Sequence, residues 1–167
     1  MDLGVLIARL VFGLLLVAHG SQKLLGWFGG AGMSGTAAFF ESLGFQPGRP
    51  FVIATALAEC GGGLLLALGL LQPVAAAPII SVMVVAIATV HWGHGLLGPS
   101  GIEPPLVYLA IAISLALIGS GAYSLDSLLG LQPWWSPQIT ALFLATGVAG
   151  GVISLGIRRL GTSVAHA

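Results

Sequence analysis

Arg9, His19, Lys23, Glu59, His91 and Glu103 stand in, or at the ends of, stretches that are otherwise apolar. An ionisable side chain held in hydrocarbon costs about 2.5–3.5 kcal/mol on insertion scales, so each needs a partner or a purpose. A histidine exchanges protons near neutrality, a desolvated carboxylate takes one up, and an ammonium stabilises a developing anion. The set therefore suits proton-coupled chemistry. Spacing groups it further. Arg9, Phe12, Leu16, His19 and Lys23 follow steps of three and four residues, which places them on one stripe of a helix. Thr55, Glu59, Gly62, Leu66 and Gly69 form a second stripe by the same rule. Gly13 and Gly20 beside the first stripe let another helix approach closely, so the polar stripe is expected to face protein and not lipid.

The elements that must carry these residues follow from composition. Of 167 residues, 57% are hydrophobic and 6% charged, against about 25% charged in soluble domains. Mean hydropathy is +1.06. The expected fold is all-α, one integral membrane helical bundle filling residues 1–167, because in lipid every backbone N–H and C=O needs an internal partner and no alternating barrel pattern is present. Stretches of roughly 20 residues predict spans at about 3–25, 50–71, 74–97, 104–121 and 137–158. Short turns such as Leu71-Gln72-Pro73 make consecutive helices antiparallel neighbours. Residues 34–43 read as a short interfacial helix capped by Ser34, with Gly44 as its stop. The Gly-rich approach Gly26-Trp27-Phe28-Gly29-Gly30 makes Trp27 and Phe28 candidates for a loop over a site, and Trp134-Trp135 reads as an interfacial anchor. The first apolar stretch is too long for a signal-peptide core and lacks a basic flank, so it is kept as a span.

Five spans bring His19, Lys23, Glu59, His91 and Glu103 to one membrane surface. Span one ends where span two begins, and span three ends where span four begins. Other uses of these residues stand beside a shared site. Lys23 near a helix end can snorkel to the interface. Glu59 can serve as a structural partner of Arg9 or Lys23, and Asp126 at the opposite surface is a rival partner for Arg9. His91 and His94 share a face but lack a third ligand, so a metal is not supported; His19 with His91 is too weak a signal for haem. Cys60 reads as a small packing residue. The net charge of zero, with no basic run, leaves no footprint for nucleic acid. The positive-inside rule places Arg49 and Arg158-Arg159 on the cytoplasmic side, with the N-terminus outside.

Taken together, Arg9-Leu10-Val11-Phe12-Gly13, His19-Gly20-Ser21-Gln22-Lys23-Leu24, Gly26-Trp27-Phe28-Gly29-Gly30, Gly35-Thr36-Ala37-Ala38-Phe39-Phe40, Glu59 before Gly62-Gly63-Leu64-Leu65-Leu66, His91 and Tyr123-Ser124-Leu125-Asp126 resemble the DoxX family of small bacterial and archaeal membrane proteins. The resemblance covers about residues 5–130. It implies a four-helix DoxX-like core in a cytoplasmic membrane, to which this chain adds a fifth C-terminal transmembrane helix. It also implies a redox role linked to quinone, and to thiosulfate or thiol oxidation.

The leading expectation is thus a membrane oxidoreductase, or a subunit of one, that exchanges electrons and protons with a bound quinone. His19 and His91 would be carbonyl partners or proton carriers, Glu59 the buried proton acceptor and Lys23 the stabiliser of quinol anion. Trp27, Phe28 and Glu103 would complete the binding site, and Arg9 with Asp126 would form a structural ion pair. The sequence carries no flavin, iron–sulfur or thiol-pair motif, so a protein partner or second substrate must supply electrons. The alternatives are a non-catalytic scaffold recruiting redox enzymes and a small-solute carrier, either of them free to work as an oligomer. Membrane lipid is a partner in every case.

Overall fold

The computed structural model describes residues 2–98 and 100–164, with side chains through Arg158; Arg159 of the C-terminal basic pair lies beyond those side chains. The chain folds into helices α1 (Asp2–Leu25), α2 (Gly32–Ser42), α3 (Gly48–Leu68), α4 (Gln72–Ala86, continued by a π turn Ile87–His91), α5 (Glu103–Ile118), α6 (Leu125–Leu128) and α7 (Pro137–Val164). Four of them, α1, α3, α4 with its π turn, and α7, are long and apolar enough to cross a membrane. The protein is an all-α integral membrane bundle. The expected fourth span is the short member, 16 residues or roughly 24 Å, just under the usual spanning length.

Small residues set the packing. A methyl group on Gly13 would collide with Gly63 and Ala67, and one on Gly20 with Ala56 and Cys60, so α1 lies antiparallel on α3 at backbone contact. Gly62 meets Ala75 and Ile79, which joins α3 to α4 antiparallel. Gly147 meets Ala77 and Ile80 while Gly151 meets Ser81 and Val84, so α7 runs parallel to α4. Two parallel helices need a return between them, and α5 supplies it despite its length. In the centre of the bundle Ala75, Ala76, Ile79 and Ile80 of α4 are fully buried against Leu16, Leu66 and Leu115. Outward, Leu3, Ile7, Leu10 and Leu14 form an exposed apolar stripe at helical spacing, the surface a lipid tail meets.

Helix ends explain where the expected boundaries shift. Gly69, with φ +64°, closes α3, and the Leu70 N–H reaches the Leu65 carbonyl at 2.9 Å, a Schellman stop. The third span was expected to reach residue 97 on hydropathy, yet it ends at His91. Gly93, Gly95 and Gly98 take φ of +90°, +80° and +120°, which a helix cannot contain. The interfacial helix starts at Gly32, which puts Ser34 inside its first turn, and its N-cap residue, Ala31, supplies no side-chain cap. At one end of the bundle the Arg158 Nε donates to the Leu43 carbonyl; at the other the Asp2 carboxylate accepts the Ala122 N–H at 2.9 Å. The C-terminal end of α7 and the α2–α3 turn therefore share one surface.

Candidate functional site

The end of the bundle beneath α2 holds a cavity of about 330 Å³ between α3, α4 and α7. Helical spacing supplies its walls: Phe51, Thr55, Ala58 and Glu59 from α3, and Pro78, Val82, Val85, Ala86 and Thr89 from α4. Phe39 and Phe40 of α2, with Phe45 in the following turn, give it an aromatic end. Phe45 stacks at a tilt on Phe51, ring centroids 5.1 Å apart. Lys23 of α1 and Ser154 of α7 close it. The π turn matters at the end of α4. Inserting one residue per turn changes the side-chain phase, and Thr89, Val90 and His91 all reach the wall in succession.

The ionisable groups of this apolar enclosure are Lys23, Glu59 and His91. Lys23 Nζ donates to Glu59 Oε1, the one ion pair within 4.0 Å among the described residues. Glu59 is 3% exposed and the Lys23 side chain 26%, so the carboxylate is the buried partner. Its other oxygen, Oε2, has no hydrogen-bond partner among the described residues. An unpaired carboxylate oxygen in a low-dielectric wall is costly and invites a donor. The His91 Nδ1 lies 3.0 Å from the Ser100 carbonyl. A carbonyl only accepts, so Nδ1 carries the proton there, and in the neutral ring Nε2 is left as the acceptor.

The structure thus gathers Lys23, Glu59 and His91 about one cavity, and sets the other sequence candidates elsewhere. His19 is exposed and turned to α5, where it meets Tyr108 edge-to-face at 5.7 Å. Trp27 and Phe28 lie in the short turn after α1, 59% and 71% exposed, outside the cavity wall. Glu103 is exposed at the start of α5. The aromatic wall comes from Phe39, Phe40, Phe45 and Phe51, whose run through residues 39–51 was the available signal. Ser81 and Ser154 also line it; each sits alone in an apolar span, where a single serine reads as ordinary packing. Among the described residues no three His, Cys, Asp or Glu side chains come together to hold a metal.

Arg9 and Asp126 lie together at the far end, both fully buried, but are not joined within ion-pair distance among the described residues. Arg9 Nη2 donates to the Tyr123 carbonyl, and its guanidinium occupies the space that a side chain on Gly69 would fill. Asp126 instead accepts the Leu71 N–H at 2.8 Å, the Gln72 N–H at 3.2 Å and the Trp135 Nε1–H at 3.0 Å. It caps α4, whose own N-cap, Leu71, has no polar side chain. The expected direct pair is therefore an indirect one, made through the 123–126 turn.

Comparison with known proteins bears on this arrangement. The family model described as DoxX matches residues 4–92, the part of the chain that holds Lys23, Glu59 and His91. The Bacillus subtilis (strain 168) protein "Putative oxidoreductase CatD" is 31% identical over 125 residues, 75% of this chain and 86% of that protein. The Escherichia coli (strain K12) "Inner membrane protein YqjF" is 31% identical over 135 residues, 77% of this chain and 93% of that protein. No solved structure gives a significant match.

Proposed function

The chain belongs to the DoxX family, and from that premise we propose that its cavity binds a quinone headgroup and exchanges protons with it in a membrane oxidoreductase, or in a subunit of one. The observation that carries this reading is the unpartnered Glu59 Oε2 in the wall of an otherwise apolar cavity, with Lys23 on the opposite oxygen. A quinol hydroxyl is a donor that Oε2 lacks. The ring suits the aromatic end formed by Phe39, Phe40, Phe45 and Phe51. A volume near 330 Å³ lies at the lower end of ligand pockets, about 300–1,000 Å³, so it would take the headgroup and leave an isoprenoid tail in the lipid.

Reduction of a quinone consumes two electrons and two protons. In this reading the protons pass at Glu59 and His91, Lys23 offsets charge on the reduced ring, and a protein partner or second substrate, such as a thiosulfate or thiol system, delivers the electrons. His19 stands outside the cavity, and its role in the proposal is confined to holding Tyr108. The name of the Bacillus subtilis relative supports an oxidoreductase, and that of the Escherichia coli relative supports a cytoplasmic membrane location. The test is quinone reduction in membranes, with whatever donor supports it, by Glu59→Gln and His91→Gln variants. Loss of a general acid or base costs about 10²–10⁴-fold in rate. A fall of that size in variants that assemble normally supports the reading, and full activity in both rejects it.

A further inference from the structure

The opposite end of the bundle holds a second cavity, about 570 Å³, which the proposed reaction does not use. It lies between the start of α4 at Gln72, the end of α5 and the start of α7 at Thr140, with Gln132 beside it. Gln72 is 1% exposed, yet among the described residues neither its side-chain oxygen nor its side-chain nitrogen has a hydrogen-bond partner. Its backbone N–H is held by Asp126, whose two oxygens are engaged by Leu71, Gln72 and Trp135. Ser120 and Thr140, 3% and 4% exposed, set two hydroxyls in the same wall.

The wall therefore combines an amide and hydroxyls, groups that both donate and accept. Among the described residues it contains no lysine or arginine, and its charged member is Asp2. That composition disfavours a phosphate and suits a neutral group able to donate and accept at each oxygen, which is what a sugar or glycerol hydroxyl does. Leu117 and Ile118 on the α5 flank are 66% and 68% exposed, an apolar surface along which an acyl chain can lie. Trp135 lines the cavity and its neighbour Trp134 is exposed, and tryptophans at the end of a membrane bundle belong to the headgroup zone. We infer that this cavity is a binding site for the uncharged, polyhydroxylated headgroup of a membrane lipid, with Gln72 and Thr140 as the groups that recognise it.

Native mass spectrometry of the full chain in detergent tests this with three probes: monoglucosyl diacylglycerol, phosphatidylglycerol and free glucose. A site of this kind gives a one-to-one complex with the glycolipid, bound at least tenfold more tightly than phosphatidylglycerol, and no retention of glucose. Gln72→Leu, close in size, should weaken the glycolipid at least tenfold while the melting temperature holds or rises and quinone reduction is unchanged. Thr140→Val should weaken it as well, which keeps the test open if Gln72→Leu assembles poorly. Equal binding of the two lipids, glucose held as firmly as the glycolipid, or glycolipid binding untouched by both variants would overturn it. The three binding probes contain no quinone, so failure of the lipid site and failure of the redox reading are separable.

Discussion

Glu59 and Asp126 are both buried carboxylates, 3% and 0% exposed, and the protein uses them in opposite ways. Asp126 has both oxygens engaged by three N–H donors and ties the start of α4 to the turn before α7. Hydrogen bonds to a charged acceptor are each worth about 1.5–3 kcal/mol. Asp126→Asn is therefore expected to cost about 3 kcal/mol, read as a drop in melting temperature in detergent. Glu59 has one oxygen on Lys23 and one unengaged, and Lys23 near a helix end can turn toward the interface when its partner is neutralised. Glu59→Gln should cost clearly less than Asp126→Asn. The reverse order would make Glu59 the structural carboxylate and remove its chemical role. Gly69→Ala adds a methyl where φ is +64° and where the Arg9 guanidinium already sits, so it should destabilise by at least 2 kcal/mol, beyond the ordinary backbone penalty of about 1 kcal/mol.

Between elements, the interfaces are set by glycines that admit backbone contact. Gly20 admits Cys60 and Ala56 of α3, and Gly147 and Gly151 admit α4. Gly20→Leu should prevent assembly of the α1–α3 core. Gly147→Leu should instead detach α7 and expose Ser154 of the cavity, detectable as new reactivity of a cysteine placed at Ser154 in a Cys60→Ala background. The helices and the Lys23–Glu59 approach were legible in the sequence because hydropathy finds spans and the three–four spacing finds stripes. Two features were not. The end of α4 depends on the positive φ of Gly93, Gly95 and Gly98, which hydropathy through Leu96-Leu97 does not register. His19 shares a stripe with Lys23, but the stripe is wide enough for His19 to meet Tyr108 on α5 while Lys23 reaches α3.

At the scale of the whole molecule, the parallel pairing of α4 and α7 places the α2–α3 turn and the C-terminal end of α7 on one surface. Single cysteines at Gln46 and Ser163 in the Cys60→Ala background should be labelled from the same side, the cytoplasmic one by the positive-inside rule. Labelling from opposite sides would contradict the parallel pairing. That surface is also the one beneath which the Lys23–Glu59 cavity lies, so an electron-donating partner on that side has the shortest route to it. The pairing fixes the position of the cavity but not its occupant. Photolabelling of the full chain in membranes with an azido-quinone reads that occupant directly. A quinone in this cavity gives crosslinks in segments 39–59 and 78–91, suppressed by excess unlabelled quinone and lost when Ala58→Trp fills the cavity. Crosslinks confined to the lipid-facing stripe of α1 or to segments 116–140, or a label indifferent to competitor and to Ala58→Trp, would contradict it.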